Sequence, residues 1–375
     1  MAFSYWEDEA WLKDRDAVVI GGGIVGLSAA CRLAELRPRW RIGVLERSAF
    51  GDGGTTRNAG FACFGSPAEL MDDRQALGDA AAIALVRRRL AGLATLRRWL
   101  GDAAIGYEAC GSHALYVGGG MPVVPESDLR ELNRWLQPAT GRAATFSRVA
   151  LPSGRGLDAA AAFAADASPL EGAVNTGLLH RALVAAAARS GVDVVRGVDV
   201  AGIEGGARVR LAVRRGSEGP LHTVETPRCL VATNAFAQEL IPGIDARPAA
   251  NRVLVTAPVP DLVGTAGTYH FEAGYVYARH LPEGRLLIGG GRHWGLGPEA
   301  TEARLLEWLH GMWPASRKVG VAYAWTGWLG VGDVREPLLR EIHPGCIAAV
   351  RLGGMGVAIG TGLGWEAAEL LAKSR

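Results

Sequence analysis

Gly21, Gly23 and Gly26 stand between the apolar run Asp16-Ala-Val-Val-Ile20 and an apolar stretch that reaches about Leu36. That G-x-G-x-x-G spacing suits a nucleotide pyrophosphate. The first glycine makes a tight turn, the second lets backbone approach the phosphates, and the third packs helix against strand. Ile24 and Val25 then open a helix whose free N–H groups and positive dipole end face the phosphates. Glu46, followed by Arg47, ends the next apolar run, Ile42-Gly-Val-Leu-Glu46, 20 residues after Gly26. A carboxylate there accepts hydrogen bonds from a ribose 2′-hydroxyl and disfavours a 2′-phosphate, so NADP is a poor candidate. These residues alone do not separate NAD from FAD.

Positioning that chemistry requires a βαβ unit: a strand over 16–20, a helix to about Leu36 and a strand over 42–46. The loop from Ser48 to Gly60 is rich in Gly, Thr and Asn. Further along, the periodicity predicts helices at about Asp79–Leu100, Ser127–Leu136 (Ser127 and Asp128 supplying the N-cap), Thr176–Arg189, Ala300–Trp313 and Thr361–Lys373. Strands are predicted at Val192–Val195, Arg208–Arg214, Cys229–Thr233, Asn251–Thr256, Gly274–His280, Arg285–Ile288 and Cys346–Arg351. Cofactor-like signals occur at both ends and in the middle, so two interleaved domains are expected. A Rossmann-like α/β cofactor domain takes 1–75, 150–235 and 325–375, and an α+β mixed-sheet substrate domain takes 76–149 and 236–324.

The composition narrows the partners. Forty basic and 38 acidic residues leave a formal charge of +2, which gives no electrostatic reason to expect nucleic acid or an anionic membrane. Hydrophobic residues at 49% and charged residues at 21% describe a globular core. Glycine, 52 of 375 residues, is in excess without a Gly-X-Y period, which suits backbone lying close to a large cofactor. Five scattered cysteines without a C-x-x-C pair argue against a disulfide framework or a zinc site. The start MAFSYWEDEAW lacks the basic and apolar parts of a secretory signal. The longest apolar stretch, Ala17–Ala30, is broken by four glycines and a serine. A cytoplasmic chain without a transmembrane segment or a metal is expected.

The loop after Glu46 separates the cofactors. Gly54-Thr-Thr-Arg-Asn-Ala-Gly-Phe61 resembles the segment that follows the first βαβ unit in the D-amino-acid oxidase and glycine oxidase superfamily of FAD-dependent oxidoreductases. The resemblance implies that Thr55 and Thr56 face the phosphates and that Arg57, Asn58, Ala59 and Gly60 line the ribityl chain and ring. Val198-Asp-Val200 looks like the stretch whose main chain meets the adenine, at Val200. Cys229-Leu-Val-Ala-Thr-Asn-Ala-Phe236 is similar to the turn that recrosses the adenosine end, with Thr233 in place and Asn234 where glycine is usual. Tyr275-Val-Tyr-Ala-Arg279 with Gly284-Arg-Leu-Leu-Ile-Gly-Gly290 resembles the substrate-domain hairpin. Tyr323-Ala-Trp-Thr-Gly327 resembles amine-oxidising members such as gamma-glutamylputrescine oxidase. Gly353-Gly-Met-Gly-Val-Ala-Ile359 matches the C-terminal flavin turn, where N–H groups near Gly354, Met355, Gly356 and Val357 would face the N1/C2=O edge.

The resemblance implies hydride transfer from an amine or N-substituted amino acid to flavin N5, with hydrolysis of the imine. Dioxygen or an electron carrier would then be the acceptor. Two departures stand out: Leu329 and Gly354 fall where the family carries carboxylate-binding arginines. Arg279, Arg292 and Arg351 are the candidates for a displaced one. No histidine lies between Glu46 and Gly60, so FAD is expected to be noncovalent. Cys63, Tyr277 and His293 are further substrate-side candidates. Tyr275 and Tyr277, two apart, are expected on one strand face. The alternatives are a 2-hydroxy acid oxidase or dehydrogenase, with His293 as the base to test, and a flavin-binding protein without amine turnover.

Overall fold

Ala17–Ile20 is apolar at every position because it lies inside a sheet covered on both faces. The computed structural model describes residues 2–118, 123–151, 154–158 and 160–374. In it, six strands run in the order 338–343, 346–350, 229–231, 17–20, 42–46 and 193–196. Neighbours are parallel except the outermost strand, Leu338–His343, which is antiparallel to Cys346–Val350. Val19, Val44, Leu230 and Ile347 pack under the helices Ile24–Leu36, Thr176–Arg189 and Gly356–Leu371. Val18, Leu45, Val231 and Ala348 face the small antiparallel sheet of 198–204, 209–215 and 222–226. This is a Rossmann-like layer, closed by its C-terminal helix.

An eight-stranded mixed sheet forms the second body, in the order 321–331, 247–256, 285–290, 276–281, 268–271, 112–117, 162–168 and 147–149. Alternation along its strands divides the labour of the two faces. Leu254, Leu286 and Ile288 pack beneath the helix Pro298–Met312 and Trp313. Val253, Val255 and Leu287 point to the opposite face, with Tyr277 and Trp325, toward the first body.

Several expectations need correction. The strands Ser147–Val149 and Ala162–Ser168 join the second sheet, so Ala162–Ser168, expected in the cofactor layer, does not belong to it. The strand Val321–Val331 crosses the expected boundary at 325, because it pairs with 247–256 from end to end except at a bulge at Ala322. The helix Asp79–Leu100, expected in the substrate domain, contributes Leu93 and Leu96 to the core of the first body. A Cβ on its Gly92 would sit 2.3 Å from the Ala358 carbonyl oxygen of the last helix. The helix Glu126–Thr140 is capped at Pro125, which leaves Ser127 and Asp128 in its first turn. Among the described residues, no helix is long and apolar enough to cross a membrane.

Candidate active site

Gly21 leaves the first strand at φ +107°, so close to the crossing chain that a Cβ would lie 2.8 Å from the Ala232 carbonyl oxygen. Gly26 packs flush on that turn, where a Cβ would stand 1.9 Å from the Gly21 oxygen. The helix Ile24–Leu36 therefore begins with bare backbone at Gly23, and the Ile24 N–H donates to Thr55 Oγ1 at 2.9 Å. Glu46 is held in place: its two oxygens accept from the Gly22 N–H at 2.7 Å and the Ser48 N–H at 2.8 Å.

These groups open onto a cavity of about 480 Å³ between the two bodies. Gly21, Gly23, Ile24, Val25, Glu46, Arg47, Thr55, Arg57, Asn58, Ala59, Val200, Thr233, Asn234, Gly327, Gly354, Met355, Gly356 and Val357 all line it. Gly26, Thr56 and Gly60 do not, each for a local reason. Gly26 is used in packing. The Thr56 hydroxyl turns back to donate to the Gly51 carbonyl. Gly60, at φ +78°, lies where a Cβ would come within 2.4 Å of the Val174 oxygen.

Arg279 explains how that turn is held. The side chain is 4% exposed, and its Nη1 donates to the carbonyls of Val174 at 2.9 Å, Gly60 at 3.0 Å and Ala59 at 3.3 Å. A guanidinium that supports three carbonyls is committed to the loop. The expectation that Arg279 binds substrate is corrected. Arg351 is corrected likewise: it donates to the Glu336 carbonyl at 2.8 Å and pairs with Asp245. It lies at φ +65°, directly before the C-terminal turn that it anchors. Asn234 shows why it can stand where glycine is usual. It adopts φ +47°, a region Asn tolerates, and its Oδ1 accepts the Leu352 N–H at 3.1 Å.

Cys63 and Tyr277 also line the cavity. Burial pushes the Cys63 thiol well up, and its sulfur lies 3.6 Å from that of Met355, so it is a neutral wall group. Burial raises the Tyr277 phenol to about 12, and its oxygen takes a hydrogen bond from Asn251 Nδ2 at 3.4 Å. Phe61 packs edge-on against both Tyr277 and His270.

A second cavity of about 810 Å³ adjoins the first and shares Glu69, Arg292, Leu352, Gly353, Gly354 and Met355 with it. His293 and Tyr275 belong to this outer space, not to the inner one. His293 Nε2 pairs with Glu272 Oε2 at 2.7 Å, and Tyr275 packs 4.7 Å from the His293 ring. The expectation of one face for Tyr275 and Tyr277 is corrected, because the strand starts at Val276 and Tyr275 belongs to the preceding turn. Arg292 is exposed and lies 4.5 Å over the Tyr275 ring at the junction. Among the described residues no carboxylate is within ion-pairing distance of it.

Asn251, His270, Glu69 and Phe61 were not singled out by their spacing. Asn251 precedes the apolar run Val253–Val255 and His270 stands between Tyr269 and Phe271, and a polar residue beside such neighbours is the signal that could have found them.

A protein family described as FAD dependent oxidoreductase (DAO) matches residues 16–370. The chain belongs to this family. The probable oxidoreductase OrdL of Rhizobium meliloti (strain 1021) is 26% identical, across 96% of this chain and 83% of that protein. Among solved structures, glycine oxidase from Geobacillus kaustophilus superposes with a TM-score of 0.75 at 21% identity, covering 96% of this chain and 95% of that one. L-proline dehydrogenase from P. horikoshii gives 0.74 at 18%, covering 96% and 93%. Iminodiacetate oxidase from Chelativorans sp. BNC1 gives 0.72 at 18%, covering 96% of each chain.

FAD is the cofactor of this family, and the cavity fits it. The helix N-termini at Gly23, Gly53 and Met355 meet the cavity without a side-chain cap. Apart from the Ile24 N–H, which Thr55 Oγ1 accepts, the backbone N–H groups of such a first turn are donors for phosphate and for a flavin edge. Thr233 Oγ1 is buried in the wall without a partner among the described residues, and a Cβ at Gly353 or Gly354 would meet open space.

Proposed function

We propose that this FAD-dependent oxidoreductase oxidises a C–N bond in an amine or N-substituted amino acid that carries a carboxylate. The observation that carries the carboxylate is Arg292, a guanidinium left without an acidic partner where the two cavities meet. Arg279 and Arg351 are both committed elsewhere. A free guanidinium beside an apolar wall is the donor that a carboxylate needs. The relatives named as glycine oxidase, L-proline dehydrogenase and iminodiacetate oxidase are consistent with an amino-acid-like substrate.

Bound FAD supplies a two-electron acceptor for the hydride on the carbon next to nitrogen. The chain supplies position and exclusion of water. Arg292 orients the carboxylate from the outer cavity. Phe61, Val253 and Tyr277 form an apolar wall that favours a neutral over a charged amine. Gly23, Thr55, Glu46, Val200 and Thr233 would hold the dinucleotide end, and residues 354–357 the ring edge.

An anaerobic absorbance titration of the FAD-loaded protein tests this reading. Glycine, N-methylglycine, proline, iminodiacetate, benzylamine and 2-hydroxyglutarate are added singly. Bleaching by an amino acid and not by benzylamine is expected. Bleaching by the hydroxy acid alone would replace the reading with C–OH oxidation, and air admitted afterwards separates oxidase from dehydrogenase.

A further inference from the structure

We infer that Glu171 and His270 form a buried proton-accepting pair in the cavity wall, with His270 taking the proton that a substrate ammonium must lose. The inference rests on the C–N reading above and extends it to a residue with a chemical task.

Glu171 is 1% exposed and His270 6% exposed, on segments about a hundred residues apart in sequence. Glu171 Oε1 accepts the Phe64 N–H at 2.7 Å and the Gly65 N–H at 3.2 Å. Its other oxygen faces His270 Nε2 at 3.9 Å, and among the described residues neither atom has a partner at hydrogen-bond distance. Two unpaired polar atoms this deep cost free energy unless they work on each other or on a ligand. The His270 ring lines the cavity, flanked by Phe61 at 5.1 Å and by Tyr277 on the paired strand. Besides Glu171, the titratable and charged groups around it are His113 beside its parallel-strand partner, Cys63 and Glu69 across the wall, Tyr277, and Arg292 at the cavity junction. Tyr277 and Cys63 are held neutral by burial. Burial pushes the Glu171 carboxyl up, while the His270 imidazole, the Ser112 hydroxyl and the two backbone donors oppose that shift.

With one proton gone from the pair, the Glu171 carboxylate faces a neutral His270 imidazole 3.9 Å away. The ammonium N–H bond then breaks, an N–H bond forms on the imidazole, and the electron pair of the broken bond stays on the substrate nitrogen. The pair returns to its one-proton state, and that proton later leaves to water. No electrons move in this step.

The test uses FAD-loaded protein labelled with ¹³C in its eight histidine rings. His270→Gln identifies the signal, and Glu171→Gln keeps an amide oxygen for the Phe64 and Gly65 N–H groups. We expect the His270 signal to titrate in the wild type and its curve to move to lower pH by about one unit, roughly tenfold in proton affinity, in Glu171→Gln. A curve that does not move, or a His270 signal that does not titrate between about pH 5 and 9, overturns the inference. In parallel, the rate of flavin bleaching by N-methylglycine and iminodiacetate is followed against pH. It should rise with pH in the wild type, and His270→Gln should lose that rise with about a hundredfold slower reduction at high pH. A normal profile in His270→Gln also overturns it. If neither compound bleaches the flavin, the C–N reading fails for this class, and the histidine curves still decide the pair.

Discussion

Arg292 and Asn234 show how much one side chain decides at this site. A carboxylate bound by a free guanidinium gains about 1.5–3 kcal/mol from the charged hydrogen bond, which is about 10–100-fold in affinity. Arg292→Gln should therefore raise KM for a carboxylate substrate by about that factor while FAD loading stays as it was. Steady-state kinetics beside a flavin-to-protein absorbance ratio would check this, and an unchanged KM would remove Arg292 from substrate binding. Asn234 combines a left-handed backbone with a hydrogen bond to the C-terminal turn. Asn234→Ala keeps neither advantage and should lower stability by about 2 kcal/mol, whereas Asn234→Gly should lose only the hydrogen bond, about 1 kcal/mol. Urea midpoints of the two variants, equal within error, would refute that division.

Between segments, the strand Val276–Leu281 supports the loop 58–60 through Arg279, and the helix Gly356–Leu371 packs on Ile24–Leu36. Arg279→Met leaves three carbonyls without their donor, so we expect a loss of about 3 kcal/mol and faster FAD release. Chemical denaturation and the decay of bound-flavin fluorescence would register both. The same segments show what was legible in the sequence. Asp79–Leu100 and Thr176–Arg189 could be read to the residue, because long amphipathic runs impose their own period. The helix Pro67–Leu77 could not, although Ser66 and Glu69 form a capping box, because Leu70 gives it only a narrow apolar stripe and Asp73 occupies a buried position. The exposed outer half of Val321–Val331 hid an edge strand in the same way. The phosphate end was legible because glycine spacing encodes backbone shape. The substrate side was not, since Arg292, His270 and Glu171 acquire meaning only when three distant segments meet.

At the scale of the whole molecule, both bodies contribute to one cavity, so cofactor binding should stabilise them together. At free FAD near 100 times Kd, the gain is about 2.7 kcal/mol. Calorimetry should show a single transition at higher temperature, and two separate transitions in the presence of FAD would contradict the coupling. Acid should loosen the second body first. Burial pulls His113 and His280 from 6.5 to about 4. The unfolded chain therefore binds more protons between those values, and the stability these neutral histidines provide is full above 6.5 and lost as pH falls toward 4. Urea midpoints measured down that range should fall, and His280→Gln should flatten the slope. The packing of Gly360 and Gly364 against Ile24 and Val25 has a consequence in time. Strand 346–350 and helix 356–371 complete the sheet and the flavin turn, yet they are the last of these parts to leave a ribosome. During synthesis, at about 5–20 residues per second, the early βαβ unit must wait many seconds with its phosphate turn half walled. Flavin capture then waits for helix 356–371 to emerge, and a cell short of flavin would accumulate apoprotein rather than nascent chains stalled at the βαβ unit.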